Sequence, residues 1–201
     1  MEIGIVGAGR VGETLARGFA VAGHDVVFGS RTPDDESVAA LVAELGDAAR
    51  ATTVERAAAE GSVVVLAVPG DVAPEVAADL ASELAGTVVI DPTNVMDRSG
   101  ESVAERIGAA APETRVVKAF NTIGTDGMAD PVIDGERASM FVASDDADAK
   151  AVATALASDL GFGVVDAGDL DAAIMLEDLA RLWIHLSRSR GRDIGFRLLG
   201  A

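Results

Sequence analysis

The amino-acid sequence predicts an α/β fold with a doubly wound, mostly parallel sheet and a short helical extension at its C-terminal end. Short β-rich runs alternate with helical patterns along almost the whole chain, the order that strand–helix–strand crossovers produce. Several runs are continuously apolar, as expected for parallel strands that are covered on both faces. The predicted strands occupy residues 2–6, 25–29, 63–68, 88–91, 115–120, 138–143 and 163–166.

The composition indicates a folded protein with an acidic surface. Hydrophobic residues make up 49% of the 201 residues, yet no apolar run approaches the roughly 20 residues that cross a bilayer. The chain has 33 acidic and 16 basic residues and a formal charge of −17, whereas a nucleic-acid partner requires a basic face. We therefore expect neither a membrane nor a nucleic acid among its partners.

Residue usage gives two further expectations. The acidic residues are spread along the chain and only Lys118 and Lys150 are lysines, a pattern typical of halophilic proteins, for which high salt screens self-repulsion. An ordinary acidic protein is the alternative. The lack of cysteine, together with a first strand that begins directly after the initiator, favours a cytoplasmic protein without a signal peptide.

A glycine-rich motif follows the first strand and opens an amphipathic helix, which is the context that gives G-x-G-x-x-G its meaning. The first glycine permits a tight turn, the second lets the backbone approach a pyrophosphate, and the third allows close helix packing. The pyrophosphate would lie at the helix N-terminus, and the sheet would be of the Rossmann type. A purely structural turn is the alternative. The motif comprises Gly7, Ala8, Gly9, Arg10, Val11 and Gly12.

The end of the second strand indicates which dinucleotide is bound. Ser30 and Arg31 stand where an NAD-binding chain would place a carboxylate for the ribose 2′-hydroxyl. A guanidinium and a hydroxyl instead suit a 2′-phosphate, so we predict NADP(H). Asp25 begins the strand and is too far away, whereas Asp34 and Asp35 lie further into the loop and leave NAD open as the alternative.

Three helices are predicted between the strands. Apolar residues at helical spacing occur over residues 38–45, closed by Gly46, and over residues 72–84, where Asp71 is the expected N-cap and Pro74 lies in the first turn. Ser144, Asp145 and Asp146 open another helix that stops at Gly161.

Three loops at the carboxyl ends of predicted strands are expected to meet at one edge of the sheet, where such folds bind ligands. Val68 and Pro69 can form a wall for the cofactor, and Asn94 can hydrogen-bond a carboxamide, a ribose or a second ligand. Turn formation is the alternative for each polar residue taken singly. The third loop comprises Phe120, Asn121, Thr122, Ile123 and Gly124.

Candidates for acid–base chemistry are few. The chain has no tyrosine, and its two histidines are predicted to be structural: His24 lies in the turn before the second strand and His185 on an apolar helix, in the core or an interface. Lys118 lies within a strand, where packing or an ion pair is favoured. We therefore predict no catalytic side chain and no metal. Hydride transfer between two redox cofactors needs mainly that their rings be held in position.

The helix predicted over residues 170–189 is apolar on more than one face, so it needs cover on two sides. A second subunit would provide it, and we predict a homodimer. A helix enclosed in the monomer core is the alternative. We place the nucleotide-binding domain at residues 1–145 and an extension that completes the cleft and the dimer interface at residues 146–201.

The chain resembles the NADP oxidoreductases that use the deazaflavin coenzyme F420, and the similar reductase domain of the STEAP metalloreductases. The resemblance rests on the segments GIVGAGRVG, AGHDVVFGSR, VVLAVP, VVKAFNTIG and GRDIGFRLL, of which the second and the last are the more specific. It implies that residues 8–11 line the pyrophosphate, that Ser30 and Arg31 hold the 2′-phosphate, that Val68, Pro69 and Asn94 border the nicotinamide, and that residues 120–124 border a second ring. It also implies a homodimer joined partly through the C-terminal helices.

One position departs from that pattern. Archaeal deazaflavin reductases carry a histidine where this chain has Asn121, and the segment KAFNT is closer to the metalloreductases. The second substrate is therefore F420, a flavin (FAD or FMN), or a metal chelate reduced through a flavin. An imine or β-hydroxy-acid reductase and a non-catalytic NADP(H)-binding module are the other readings. Five arginines near the end of the chain are candidates for an anionic cofactor tail or for pairing with a partner subunit: Arg181, Arg188, Arg190, Arg192 and Arg197.

Overall fold

Strands and helices alternate along the chain in the computed structural model, which describes residues 1–96 and 100–200. The strands are β1 (Glu2–Val6), β2 (Asp25–Gly29), β3 (Ala49–Thr52), β4 (Val63–Leu66), β5 (Val88–Asp91), β6 (Arg115–Lys118), β7 (Val132–Ile133), β8 (Glu136–Arg137), β9 (Ser139–Ala143) and β10 (Gly163–Gly168). The α-helices are α1 (Arg10–Val21), α2 (Glu36–Leu45), α3 (Val54–Glu60), α4 (Ala73–Asp79), α5 (Val103–Ala110), α6 (Thr125–Ala129), α7 (Ala147–Asp159) and α8 (Ala173–Arg190).

Eight of the described strands form one sheet in the order β10-β9-β6-β5-β4-β1-β2-β3, while β7 and β8 form a separate hairpin. Strands β1 to β6 are parallel, and β9 pairs antiparallel with β6 and parallel with β10. From the central β1 the chain builds outward to β3, then crosses back to β4. This doubly wound, mostly parallel sheet confirms the predicted fold and places the switch point between β1 and β4.

Helices cover both faces of the sheet, which explains why the central strands are apolar throughout. All four residues of β4 and of β5 are buried. Leu15 and Phe19 of α1 belong to the core on one face, and Ala77 of α4 and Ile107 of α5 belong to the core on the other. Burial of apolar surface on both sides contributes about 25 cal/mol per Å² removed from water.

Helix boundaries differ from the prediction in one region and agree in two others. The N-cap of α4 is Val72 and not Asp71, and α4 ends at Asp79, so Leu84 is buried in a turn beyond the helix. Helix α2 ends at Leu45 and is capped by Gly46, whose φ of 60° suits glycine. The Asp146 side chain accepts from the backbone N–H of Ala149 and caps α7.

The C-terminal segment folds back onto the sheet after α8. The backbone N–H of Ser139 donates to the carbonyl of Phe196 at 2.7 Å, and the Ser139 hydroxyl accepts from the backbone N–H of Leu198 at 3.0 Å. The boundary drawn at residue 145 falls between β9 and β10, which pair within one sheet. The division into two domains stays a prediction. In residues 1–96 and 100–200, no helix combines the length and the apolar character needed to cross a membrane.

Candidate functional site

The predicted loops do meet at one edge of the sheet, where β1, β4, β5 and β6 end. A Cβ atom built on Gly7 would lie 2.4 Å from the carbonyl oxygen of Ala67, so the glycine loop touches the end of β4. A Cβ on Gly70 would lie 2.7 Å from the carbonyl oxygen of Asn94, and the Asn94 amide donates to the Asn121 carbonyl at 2.9 Å. The structure therefore brings the four loops into contact at the edge of the sheet where the cofactor cleft is predicted.

Two glycines of the motif are required by the packing of the loop. Gly7 has a φ of 119°, a conformation that disfavours side chains, and it has no room for a Cβ. A Cβ on Gly12 would lie 2.3 Å from the Gly7 carbonyl oxygen. These contacts set the tight turn and let α1 start directly above β1.

Gly9 differs because a Cβ built on it would meet nothing within 4 Å. It is the N-cap of α1 but has no side chain to cap the helix, and the first backbone bond of the helix runs from Glu13 N–H to the Gly9 carbonyl at 3.0 Å. The backbone N–H groups of the preceding turn therefore have no intrahelical acceptor. Open space beside free donors at the positive end of a 12-residue helix fits a pyrophosphate.

Ser30 and Arg31 lie beyond β2 at the same edge. The Ser30 hydroxyl accepts from the backbone N–H of Thr32 at 3.1 Å, which keeps its own proton available as a donor. Arg31 is exposed and forms no hydrogen bond or ion pair with a described residue. Asp35 caps α2, and its hydrogen bonds from the Ser37 hydroxyl and backbone lower the pKa of its carboxyl group. A free guanidinium beside a hydroxyl donor fits a 2′-phosphate.

Asn94 and Asn121 form a reciprocal pair across the ends of β5 and β6. The Asn121 amide nitrogen donates to Asn94 Oδ1 at 3.0 Å, while Asn94 Nδ2 donates to the Asn121 carbonyl. Among the described residues, Asn121 Oδ1, Thr93 Oγ1 and Thr122 Oγ1 are buried without a hydrogen-bond partner. Buried polar atoms normally find partners, so these three fit a polar group such as a carboxamide. Thr93 was missed as a candidate, although it adjoins Asn94 in a loop that the sequence marks.

Phe120 serves the site through its backbone rather than its ring. Its side chain is fully buried and packs edge-on against Phe19 and Phe162, with ring centroids 6.1 and 6.3 Å away, so the ring does not line the cleft. Its φ of 62° is unusual for an aromatic residue and costs about 1–3 kcal/mol. The sharp turn is followed directly by Asn121, whose side chain and carbonyl both bond Asn94.

Of the remaining predicted residues, Val68 and Pro69 are accessible, whereas Ile123 and Gly124 are buried. Pro69 is exposed and Val68 is half-buried after β4, where both can face a ring. A Cβ on Gly124 would lie 2.5 Å from the Trp183 ring, so this glycine packs the loop against α8, while the Ile123 side chain packs against Gly127 of α6. Arg10 at the start of α1 donates to the hydroxyl of Thr125 at the start of α6 at 3.2 Å, which links the helices that follow the glycine loop and residues 120–124.

Lys118 forms the predicted ion pair, in a buried network below the cleft. Its ammonium group contacts Asp91 Oδ2 at 2.9 Å, Glu177 Oε1 at 2.9 Å and the Thr93 carbonyl at 2.6 Å. The three charged side chains are 0% exposed. Because all three N–H donors are engaged, Lys118 is a structural cation and not a free base. Glu177 was missed because its contact depends on where α8 crosses the sheet.

His24 lies before β2, at the opposite edge of the sheet from the glycine loop, and His185 lies on α8. His24 Nε2 is 3.1 Å from Asp159 Oδ2 and its ring packs against Phe19, which confirms the structural role predicted for it. His185 is exposed on α8, so it is not a core residue of this chain. An interface role for it stays a prediction.

The five C-terminal arginines do not form one cluster. Arg181 binds Asp178 and the Val95 carbonyl, and Arg192 lies 5.3 Å from the Trp183 ring centroid and 3.5 Å from Asp126. Arg197 pairs with Glu136. Arg188 and Arg190 are exposed on the last turn of α8. An intramolecular role therefore accounts for three of the five.

Comparison with known proteins matches residues 2–95 to the family model described as NADP oxidoreductase, coenzyme F420-dependent. The F420-dependent NADP reductase of Methanothermobacter thermautotrophicus is 34% identical over an alignment covering 98% of this chain and 94% of that protein. Metalloreductase STEAP2 of Mus musculus is 28% identical over 89% of this chain but only 36% of its own length.

A solved structure has the same fold from end to end. A protein from Arthrobacter sp. FB24, described as an F420-dependent NADP-reductase, superposes with a TM-score of 0.90 at 31% identity, with 100% of both chains covered. The similarity therefore includes both the glycine loop and the C-terminal helix.

Proposed function

The chain belongs to the family of coenzyme F420-dependent NADP oxidoreductases, and we propose from this that it transfers hydride between NADP(H) and the deazaflavin F420. It is thus an NADP-dependent oxidoreductase with a Rossmann-type fold. The nicotinamide and the deazaflavin supply the hydride donor and acceptor when they are bound. The residues of the chain bind and orient the two rings.

The observation that carries the proposal is Arg31 beside Ser30, without a hydrogen bond or ion pair to a described residue, together with the open space at Gly9. Together they offer a cationic fork for the 2′-phosphate and unpaired N–H donors for the pyrophosphate. With the adenosine half held there, the nicotinamide would extend toward Val68, Pro69 and Asn94. The buried Asn121 Oδ1 suits its carboxamide.

The lack of an available proton donor or acceptor among the candidate acid–base groups supports hydride transfer between two cofactors. Lys118 has all its donors engaged, His24 is paired with Asp159, and the sequence contains no tyrosine. A reductase of alcohols or hydroxy acids needs a proton relay at the substrate. Ring-to-ring hydride transfer depends mainly on position.

A flavin is the second candidate for the acceptor, because an asparagine stands at position 121. An amide contacts a ring oxygen or nitrogen as a neutral donor or acceptor, whereas a histidine there can carry charge. The ring of FAD or FMN would bind against the same loop, residues 120–124. The metalloreductase similarity is consistent with this choice.

We also propose a cytoplasmic homodimer that pairs through α8. Met175 and Leu182 are 68% and 47% exposed, and half-buried Leu179 and Leu186 lie on the same face at i, i+4, i+7 and i+11. An apolar stripe of this kind is typical of a helix that a second subunit covers. The homodimer that the family resemblance implies agrees with it.

The deciding experiment mixes the protein with NADPH and oxidised F420, FAD or FMN in separate reactions and follows the nicotinamide absorbance. Reduction of F420 in preference to the flavins supports the proposal. Preference for FAD or FMN supports the second candidate, and activity with imines or hydroxy acids alone refutes both. Tight NADPH binding without any turnover would leave only a binding module.

Gly9→Ala tests the placement of the pyrophosphate in the same assay. Its methyl group enters open space and its φ of −97° suits alanine, so we expect an unchanged melting temperature. The same methyl would stand where the pyrophosphate approaches, so NADPH binding and turnover should fall together. A Gly9→Ala protein that binds NADPH like the wild type would contradict the placement of the pyrophosphate.

A further inference from the structure

Two cations hold the backbone on either side of Asn94. The Lys118 ammonium donates to the carbonyl of Thr93 at 2.6 Å, and Arg181 Nη1 donates to the carbonyl of Val95 at 2.9 Å. Asn94 therefore lies between two carbonyl groups that are each fixed by a charged donor. Hydrogen bonds to charged groups are stronger than neutral ones, so this turn is held more firmly than its sequence alone would achieve.

Both cations are anchored by consecutive carboxylates of α8. Glu177 Oε1 lies 2.9 Å from Lys118 Nζ, and Asp178 Oδ1 accepts from Arg181 Nη2 at 2.6 Å and Nε at 3.0 Å. Glu177 Oε1 also accepts from the backbone N–H of Val103, which ties the start of α5 to the same group. The position of α8 is therefore linked directly to the loop after β5.

The burial of this network is costly, which argues for a role beyond stability. Lys118, Asp91 and Glu177 are 0% exposed, and the Arg181 side chain is only 13% exposed. Removing such groups from water costs several kcal/mol per ion, and buried ion pairs are often no more stabilising than apolar residues of the same size. Fixing a defined geometry is the benefit that an apolar replacement would not provide.

Asn94 passes that geometry on to Asn121. The two side chains bond reciprocally, and the remaining Asn121 Oδ1 is buried without a partner among the described residues. A shift of the Asn94 backbone would rotate the carboxamide of Asn121 away from its present direction. On the other side, the Asn94 carbonyl packs against Gly70, so the turn has no room to move toward β4.

Resting on the proposed function, we propose that Lys118 and Arg181 are positioning residues that act through Asn94 to orient the nicotinamide half of NADP(H). Neither residue touches the ring in this assignment. Hydride transfer requires the reacting atoms to be held about 3–3.5 Å apart, and a displacement of about 1 Å can reduce the rate by about 100-fold. Removing one of these two cations should therefore lower turnover without weakening the binding of the adenosine half of the ligand.

The experiment uses Arg181→Met, with Arg115→Met as its matched control. Arg115 forms an equally close two-bond pair with Asp146, at 2.7 and 2.8 Å, but at the opposite end of β6 from the cleft. Two binding constants are measured for each protein, one for NADPH and one for 2′-phospho-ADP-ribose, which lacks the nicotinamide. The kcat and KM with NADPH and F420 are measured alongside.

For Arg181→Met we expect kcat to fall at least tenfold and NADPH to bind several-fold more weakly, with 2′-phospho-ADP-ribose binding unchanged. Arg181→Lys, which keeps a cation for Val95, should recover most of the loss. Arg115→Met should lower the melting temperature but leave all three ligand measurements unchanged. Equal weakening of both ligands by Arg181→Met would overturn the proposal, as would unaltered kcat and NADPH binding.

A double-mutant cycle tests whether Arg181 acts through Asn94. In an Asn94→Ala background, Arg181→Met should change kcat and NADPH binding by less than about twofold, because the residue it positions is gone. If the double mutant instead lost the product of the two single-mutant factors, the two residues would act independently and the proposal would be overturned. The binding arm stands even if the wild type reduces none of the acceptors. In that case the proposal of F420 as the acceptor is refuted, while the ratio of the two binding constants still decides whether Lys118 and Arg181 position the nicotinamide half.

Discussion

Replacing Arg31 with alanine should weaken NADPH binding and leave NADH binding unchanged. Arg31 is exposed just beyond β2 and forms no hydrogen bond or ion pair with a described residue, so its removal should not disturb the fold. A hydrogen bond to a charged group contributes about 1.5–3 kcal/mol, and about 1.4 kcal/mol corresponds to a tenfold change in affinity. We therefore expect NADPH to bind roughly 10- to 100-fold more weakly.

The assay is a fluorescence titration of wild type and Arg31→Ala with NADPH and with NADH at two salt concentrations. Arg56→Ala is the matched control, because the Arg56 side chain is 71% exposed and pairs with Glu60 on α3. The effect of Arg31→Ala should be larger at low salt, since screening weakens exposed charge interactions.

Two results would refute the reasoning. If Arg31→Ala weakened NADH as much as NADPH, the guanidinium would contact a group common to both dinucleotides. If neither ligand were affected, the 2′-phosphate would be held elsewhere or would be absent from the preferred ligand. Either result would remove the electrostatic basis for choosing NADP(H) at this site.

Three further predictions concern stability and assembly. The melting temperature should rise when the KCl concentration is increased from about 0.1 M to about 1 M, because the Debye length falls from about 10 to about 3 Å and the added salt screens the charge of −17. A rise no larger than that produced by equiosmolar sorbitol would contradict a halophilic surface. The Asp146 pKa is held well below 3.8 by hydrogen bonds from Arg115 and then from the Ala149 backbone, so the pair's stabilisation is present above about pH 4 and is lost as pH falls. The melting temperature should therefore fall more steeply with decreasing pH for wild type than for Asp146→Asn. Exposed Asp47→Asn, which is not part of the Arg115 pair, is the control, and parallel curves would exclude this contribution. Leu182→Glu should yield a monomer in light scattering at high salt while Val21→Glu, an equally polar change at an 89% exposed site on α1, stays dimeric; a monomeric wild type would argue against pairing through α8.

Strands with strong local patterns could be read from the sequence, and β1, β2 and β5 have the predicted bounds. Their residues are apolar because helices cover both faces, so composition and position agree. Strand β3 was missed because ARAT is a half-exposed edge strand with little apolar character. Its identity depends on pairing with β2, which only the folded chain provides.

The backbone of the site was predictable to a larger extent than its side-chain contacts. The glycine motif and Ser30–Arg31 follow from spacing after a strand, and their placement at one edge follows from parallel topology. The contact of Lys118 with Glu177 joins residues 59 positions apart, so it depends on the path of α8 across the sheet. The burial of the Phe120 ring likewise results from a left-handed backbone turn that no local pattern marks.

The sheet has a weak line between β6 and β9. Only one residue pair, Lys118 with Ala143, joins these strands, whereas β9 and β10 share five. The Ser144 hydroxyl adds a bond to the Val116 carbonyl at 2.7 Å. The loop of residues 120–124 leaves β6 at this line, so small rotations of the β9–β10 half would widen or narrow the space beside Asn121 while leaving the six-strand half intact. The rate of amide hydrogen exchange along β9 would therefore report how often this part of the cleft opens.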